Sequence, residues 1–195
     1  MTKQPPENAF HPKTRAGWRQ WLQENHARDE GVWFIRYKKS ANKPYVDVED
    51  AIEEAICFGW IDSLPRKLDG ERTMLYFAPR KPKSNWSALN KTRVEKMIAA
   101  GLMAPAGLAK VQQAKESGAW TALDAVEALE IPPDLNDAFN AYPDSKENFE
   151  AFPPSVRRGI LEWILNAKRA TTRQKRIDET ARLAADNLRA NQWRS

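Results

Sequence analysis

The chain is poor in the groups that staple or arm many small proteins. Cys57 is its one cysteine among 195 residues, so no disulfide can form within it, a usage that suits a reducing compartment. The two histidines, His11 and His26, lie apart, and no Cys-x-x-Cys occurs. No metal site is therefore expected, and no cofactor. There is no P-loop, no G-x-G-x-x-G, no H-E-x-x-H and no G-x-S-x-G. These absences remove the usual signatures of nucleotide binding, zinc proteolysis and serine hydrolysis. No apolar run reaches about 18 residues, and the opening MTKQPPENAF has no apolar signal core. Neither a membrane span nor export is expected, which makes the cytoplasm the expected compartment.

What is present is enough for a core. Apolar residues make up 42%, with eight tryptophans and seven phenylalanines. A chain of this length buries roughly 70% of its unfolded surface. Thirteen prolines, paired at 5–6, 132–133 and 153–154, cut it into short elements. Net charge is +5 but unevenly placed: 1–96 carries +5, 97–155 carries −6 and 156–195 carries +6. Either the segments neutralise one another in the fold, or two basic surfaces meet an anion.

Read in order, 1–13 is a loose arm. Thr14 caps a helix to about Arg28, with Trp18, Trp21 and Leu22 on one face. Val32 to Lys38 is a strand, with Trp33, Ile35 and Tyr37 on one side and Phe34, Arg36 and Lys38 on the other. Asp47 caps a second helix that Gly59 ends. Two strand-like arms, 60–68 and 72–79, flank Asp69-Gly70, a strong hairpin cue. Pro65 marks the first arm as an edge or a bulged strand. Helices follow from Asn90 or Thr92 to Ala100 and from Pro105 to Ser117. Two shorter ones span about 133–141 and 144–151. Ser155 caps another, and Thr171 or Thr172 opens the last, whose inner stripe includes Leu188. The expected class is α+β: residues 1–88 form a small helix and antiparallel-sheet unit, and residues 89–195 a helical part packed on it.

Chemistry concentrates between Cys57 and Trp86. Arg80-Lys81-Pro82-Lys83-Ser84-Asn85-Trp86-Ser87 is a loop dense in hydrogen-bond donors just after a strand. Arg80 and Lys83 offer charged donors to a carboxylate or phosphate, Ser84 and Asn85 neutral ones. Trp60 and Trp86 offer flat apolar walls. Asp62 with Arg66 orients the set. The expected ligand is a small anion. The same loop also reads as a solvated connector with Trp86 tucked into the core. Asp62 lies among apolar neighbours, where burial raises a carboxyl and makes it a possible acid or base. That keeps an enzyme reading open. Arg169, Arg173 and Arg176, with Lys168 and Lys175, form a basic stripe that either binds nucleic acid or seats the acidic middle segment. Cys57, at an apolar helix end, reads as an inert core residue.

Three separated motifs resemble one family. Cys57-Phe58-Gly59-Trp60-Ile61-Asp62-Ser63, then Phe77-x-Pro79-Arg80, then Ser84-Asn85-Trp86-Ser87 with Asn90 look like the N-terminal hallmark of the YdeI/OmpD-associated, or bacteriocin-protection, family. Ala167-Lys168-Arg169, Thr172-Arg173 and Arg176-Ile177 resemble its C-terminal hallmark. The resemblance runs over about 10–190. It implies a bacterial protein linked to envelope stress and protection from cationic peptides. It implies no catalytic residues.

Overall fold

The computed structural model describes residues 4–192, which fall into two compact units, one ending at Ala122 and one starting at Leu123. The expected break at 88/89 and this one differ. The helices α3 (Ala88–Ala99) and α4 (Pro105–Glu116) bury Val94, Met97, Val111 and Ala114 in the core of the first unit. The class is α+β.

In the first unit, β1 (Ala9–Phe10) runs parallel to β2 (Val32–Tyr37), while β4 (Arg72–Pro79) pairs antiparallel with both β2 and β3 (Trp60–Lys67). The order is β1-β2-β4-β3. The sheet is thus mixed rather than wholly antiparallel. Its parallel strand comes from the expected loose arm, which Phe10 ties down by stacking on Trp18 and Trp21. Alternation sorts the faces as read. Phe34, Leu75 and Phe77 join the main core with Trp18 and Leu22 of α1 (Arg15–Asn25) and Ala51, Ala55 and Ile56 of α2 (Val48–Cys57). Trp33, Ile35, Met74 and Leu68 form a smaller cluster on the other side, with Tyr76 packed against it. Thr14 and Asp47 cap α1 and α2 through their side-chain oxygens, satisfying first-turn N–H groups. β3 is the edge strand and slips register between Asp62 and Pro65. Proline has no N–H to give the ladder, so edge and bulge are where it fits.

The second unit is helical: α5 (Asp124–Glu127), α6 (Pro133–Phe139), α7 (Ser145–Ala151), α8 (Pro154–Leu165) and α9 (Ala170–Ala185). Leu135, Phe139, Phe149, Ile160, Ile164, Ile177 and Ala181 make its core. Leu188 is exposed rather than inward, because Asn187 takes φ 54° and the chain leaves the helical path before it. Among the described residues no helix is long and apolar enough to cross a membrane.

Candidate functional site

Gly59 begins the site. It ends α2 at φ 77°, a conformation that costs side-chain-bearing residues energy. Its carbonyl then accepts the Arg80 backbone N–H at 2.9 Å. Trp60 pairs with Pro79 in the ladder. The end of α2, the start of β3 and the end of β4 therefore meet at one point, and Arg80 is the first residue past it.

Arg80 turns inward. Its Nη1 donates to the Asn85 carbonyl at 2.8 Å and to the Ser84 carbonyl and Oγ at 3.4 Å each. Its Cζ lies 3.7 Å from the Trp86 ring centroid, well inside cation–π range. The residue is 2% exposed. Burial pushes its pKa down to about 10, against the pull of the nearby Asp62 charge. It therefore remains a cation at neutral pH. Nε and Nη2 are buried and have no hydrogen-bond partner. These two N–H groups lie along one edge of the planar fork, the edge that matches two carboxylate oxygens. Elsewhere in the chain that edge is used. Arg93 gives it to Glu49, Arg158 to Glu127 and Arg173 to Asp134.

Asp62 stands across from Phe77 on β3. It is half-buried, and burial raises its carboxyl above the usual range, opposed by its own backbone N–H and by the Arg93 and Arg80 charges. Among the described residues, its side chain makes neither an ion pair nor a hydrogen bond to another residue. Arg93, on α3, holds Glu49 of α2 through Nε (2.7 Å) and Nη2 (2.6 Å) and gives Nη1 to Asn90 Oδ1 (2.8 Å). Ser87 caps α3, its Oγ accepting the Asn90 N–H at 3.3 Å. Two cations, Arg80 and Arg93, thus act on two anions, Asp62 and Glu49.

The expected site residues are only partly brought together. Arg80, Ser84, Asn85 and Trp86 meet as read, with Asp62 in electrostatic reach. Arg66 does not join them. The slip between Asp62 and Pro65 inverts the alternation, so Arg66 pairs with Met74 and stacks over Trp33 at 4.9 Å, on the opposite face of the sheet. Lys83 is exposed on the loop and makes none of these contacts. Trp60 is 1% exposed and gives its Nε1–H to the His26 carbonyl at 3.0 Å, so it is a core residue rather than the wall of an open hollow. Cys57 is buried, with its thiol pushed up to about 11 by burial, an unreactive setting. In the tail, Arg173 binds Asp134 of the acidic segment and Arg176 donates to the Trp163 carbonyl while lying over its ring. The stripe is thus partly a packing surface of the second unit. Arg93 and Glu49 escaped the sequence reading. The spacing of Asn90 and Arg93, three apart on a helix, was the available signal. Among the described residues, no three His, Cys, Asp or Glu side chains are grouped to hold a metal ion.

Comparison with family models places residues 10–110 in a domain of unknown function, DUF8412, and residues 128–187 in the family described as bacteriocin-protection, YdeI or OmpD-associated. The first match covers just over half of the chain, which belongs to that domain family, while the second supports a likeness of residues 128–187 to the YdeI/OmpD-associated family. The YdeI/OmpD-associated match lies in the helices of the second unit. Every residue of the Arg80 site lies in the domain of unknown function. The motifs around Cys57 to Asn90 fall under that first match, and the 167–177 motifs under the second. Comparisons with curated proteins and with solved structures gave no match.

Proposed function

We propose that the first unit of this protein binds a small ligand through a two-oxygen anionic group, carboxylate or phosphate, seated on the Nε and Nη2 edge of Arg80. One observation carries the reading. A cation that is almost wholly buried has two N–H groups with no acceptor. A buried polar group without a partner costs free energy and calls for a specific explanation. A resident anion supplies one. Trp86 and the loop carbonyls hold the fork in place before the ligand arrives, so little ordering remains to be done on binding. The resistance-associated role rests on the likeness to the family alone.

The test uses calorimetry and thermal shift on the full chain with phosphate, acetate and a panel of small carboxylates and phosphates. At least one is expected to raise the melting temperature, and Arg80→Lys and Arg80→Met are expected to abolish that shift while remaining folded. Equal shifts in wild type and both variants, or no shift with any probe, overturn the reading.

A further inference from the structure

Asp62 pairs with Phe77 two residues along from the Trp60–Pro79 pair that Arg80 directly follows, and among the described residues neither an ion pair nor a hydrogen bond joins Asp62 to the unpartnered Nε and Nη2 of Arg80. Opposite charges with this little water around them attract strongly, and free side chains would close the gap. Neither is free. Arg80 is anchored by the Asn85 carbonyl and the Trp86 ring. Asp62 is fixed opposite Phe77 on a strand whose register slips immediately beyond it. The fold therefore keeps an unpartnered donor edge and an unpartnered acceptor apart. The other two charges are already matched, since Glu49 takes both oxygens' worth of the Arg93 fork. The site as a whole is charge-balanced. A plain anion would satisfy Arg80 but set like charge against Asp62.

We propose that the ligand bridges the two: it presents its anionic oxygens to Arg80 and an N–H donor, ammonium or amide, to the Asp62 carboxylate. The class is a small dipolar molecule such as an amino-carboxylate or an amino-phosphate. This inference rests on the anion reading and adds the second contact. Specificity then follows from chemistry. A ligand lacking the donor leaves a half-buried carboxylate unsatisfied, and hydrogen bonds to charged groups carry most of such discrimination.

Matched pairs test it by titration calorimetry on the full chain: acetate against glycine, propionate against 3-aminopropionate, and ethyl phosphate against phosphoethanolamine. Each pair differs only in the ammonium group. In at least one pair the amino member is expected to bind the wild type about ten-fold or more tightly. Asp62→Asn is expected to erase most of that preference while the plain member still binds. Arg80→Met is expected to lose both. Should the plain members bind as well as the amino members, with Asp62→Asn tightening both, the bridge is refuted and the anion reading survives. Should no member bind, both fall. The wild-type comparison needs no variant, so a misfolded Asp62→Asn leaves the inference open to refutation.

Discussion

The Arg80 guanidinium carbon sits 3.7 Å from the centroid of the Trp86 ring, and this contact separates one loop cation from its neighbours. Lys81 and Lys83 stay in water. Arg80 is drawn under the loop because its flat, weakly hydrated fork can lie against an indole that the core already holds, which an ammonium cannot do as well. Trp86 in turn meets Trp120 at 5.1 Å and is part of the main core. The position of the charge is thereby set by hydrophobic packing.

A first prediction separates Arg80 from the other two basic residues that the sequence assigns to the site. Arg66→Ala and Lys83→Ala are expected to leave binding of any Arg80-dependent probe unchanged within about two-fold, since neither contacts Arg80, Asp62 or Arg93. Arg80→Lys is expected to weaken it ten-fold or more, since lysine offers no two-pronged edge. Loss of binding in Arg66→Ala with Arg80→Lys unaffected would reverse the assignment.

Two aspartates should respond to pH with opposite signs. Burial raises Asp62, so the folded chain holds its proton more tightly than the unfolded chain. Its contribution to stability is present in acid and is lost as pH rises through the raised value. Asp62→Asn should therefore melt above wild type at neutral pH, with the gap closing below the ordinary aspartate range. Hydrogen bonding from Arg173 lowers Asp134. Its contribution is present at neutral pH and lost as pH falls through the lowered value. Asp134→Asn should be less stable at neutral pH, by under about 1 kcal/mol for so exposed a pair, and equal to wild type in strong acid. Melting curves across the acid range check both signs.

The carboxylates of α2 differ from surface pairs in what their loss should cost. Glu54 is buried and accepts from Arg15 Nε and Arg19 Nη1 at 2.6 Å each. Glu53, also buried, pairs with Arg15 and Lys96. Glu54→Leu should cost about 2–3 kcal/mol, less than a fully buried pair because both arginines reach water. Glu71→Gln breaks only the exposed pair with Lys43 and should leave the denaturation midpoint essentially unchanged. Urea denaturation measures both, and equal costs would contradict the burial argument.

Two helical glycines should answer alanine in opposite ways. A Cβ on Gly107 would lie 2.2 Å from the Cys57 carbonyl oxygen, a backbone atom that cannot swing aside. Gly107→Ala should destabilise by about 1–3 kcal/mol as α4 is pushed from α2. A Cβ on Gly159 in α8 meets nothing within 4 Å. Gly159→Ala should stabilise by about 0.5–1 kcal/mol through reduced freedom of the unfolded chain. Denaturation midpoints decide each sign.

Single-residue signals hold at some helix ends and fail at others, since α8 starts at Pro154 with Ser155 already inside it and α9 starts at Ala170, ahead of Thr171. Thr14, Asp47, Gly59 and Asp69-Gly70 fix caps and turns through side-chain oxygens and permitted dihedrals. Alternation in β2 set Phe34 on the face opposite Trp33 and Ile35, because the period of a strand is fixed by its pleat. The Asp62–Arg66 partnership failed for the same reason. Spacing of four places both on one face only in an unbroken ladder, and the slip at Pro65 broke it. Arg93 and Glu49 were not visible, since α2 and α3 are joined at that point only in space.

The sequence by itself determined the class of the fold, the hairpin and most of the helices, all of which follow from backbone propensities acting over a few residues. Only the tertiary structure decided that Arg80 is the cation turned inward, that Arg66 is not its companion, and that Asp62 stands near it unpaired. Burial and charge pairing depend on which distant surfaces meet. Those meetings are set by the packing of Trp86, Phe77 and α3 rather than by any local run of residues.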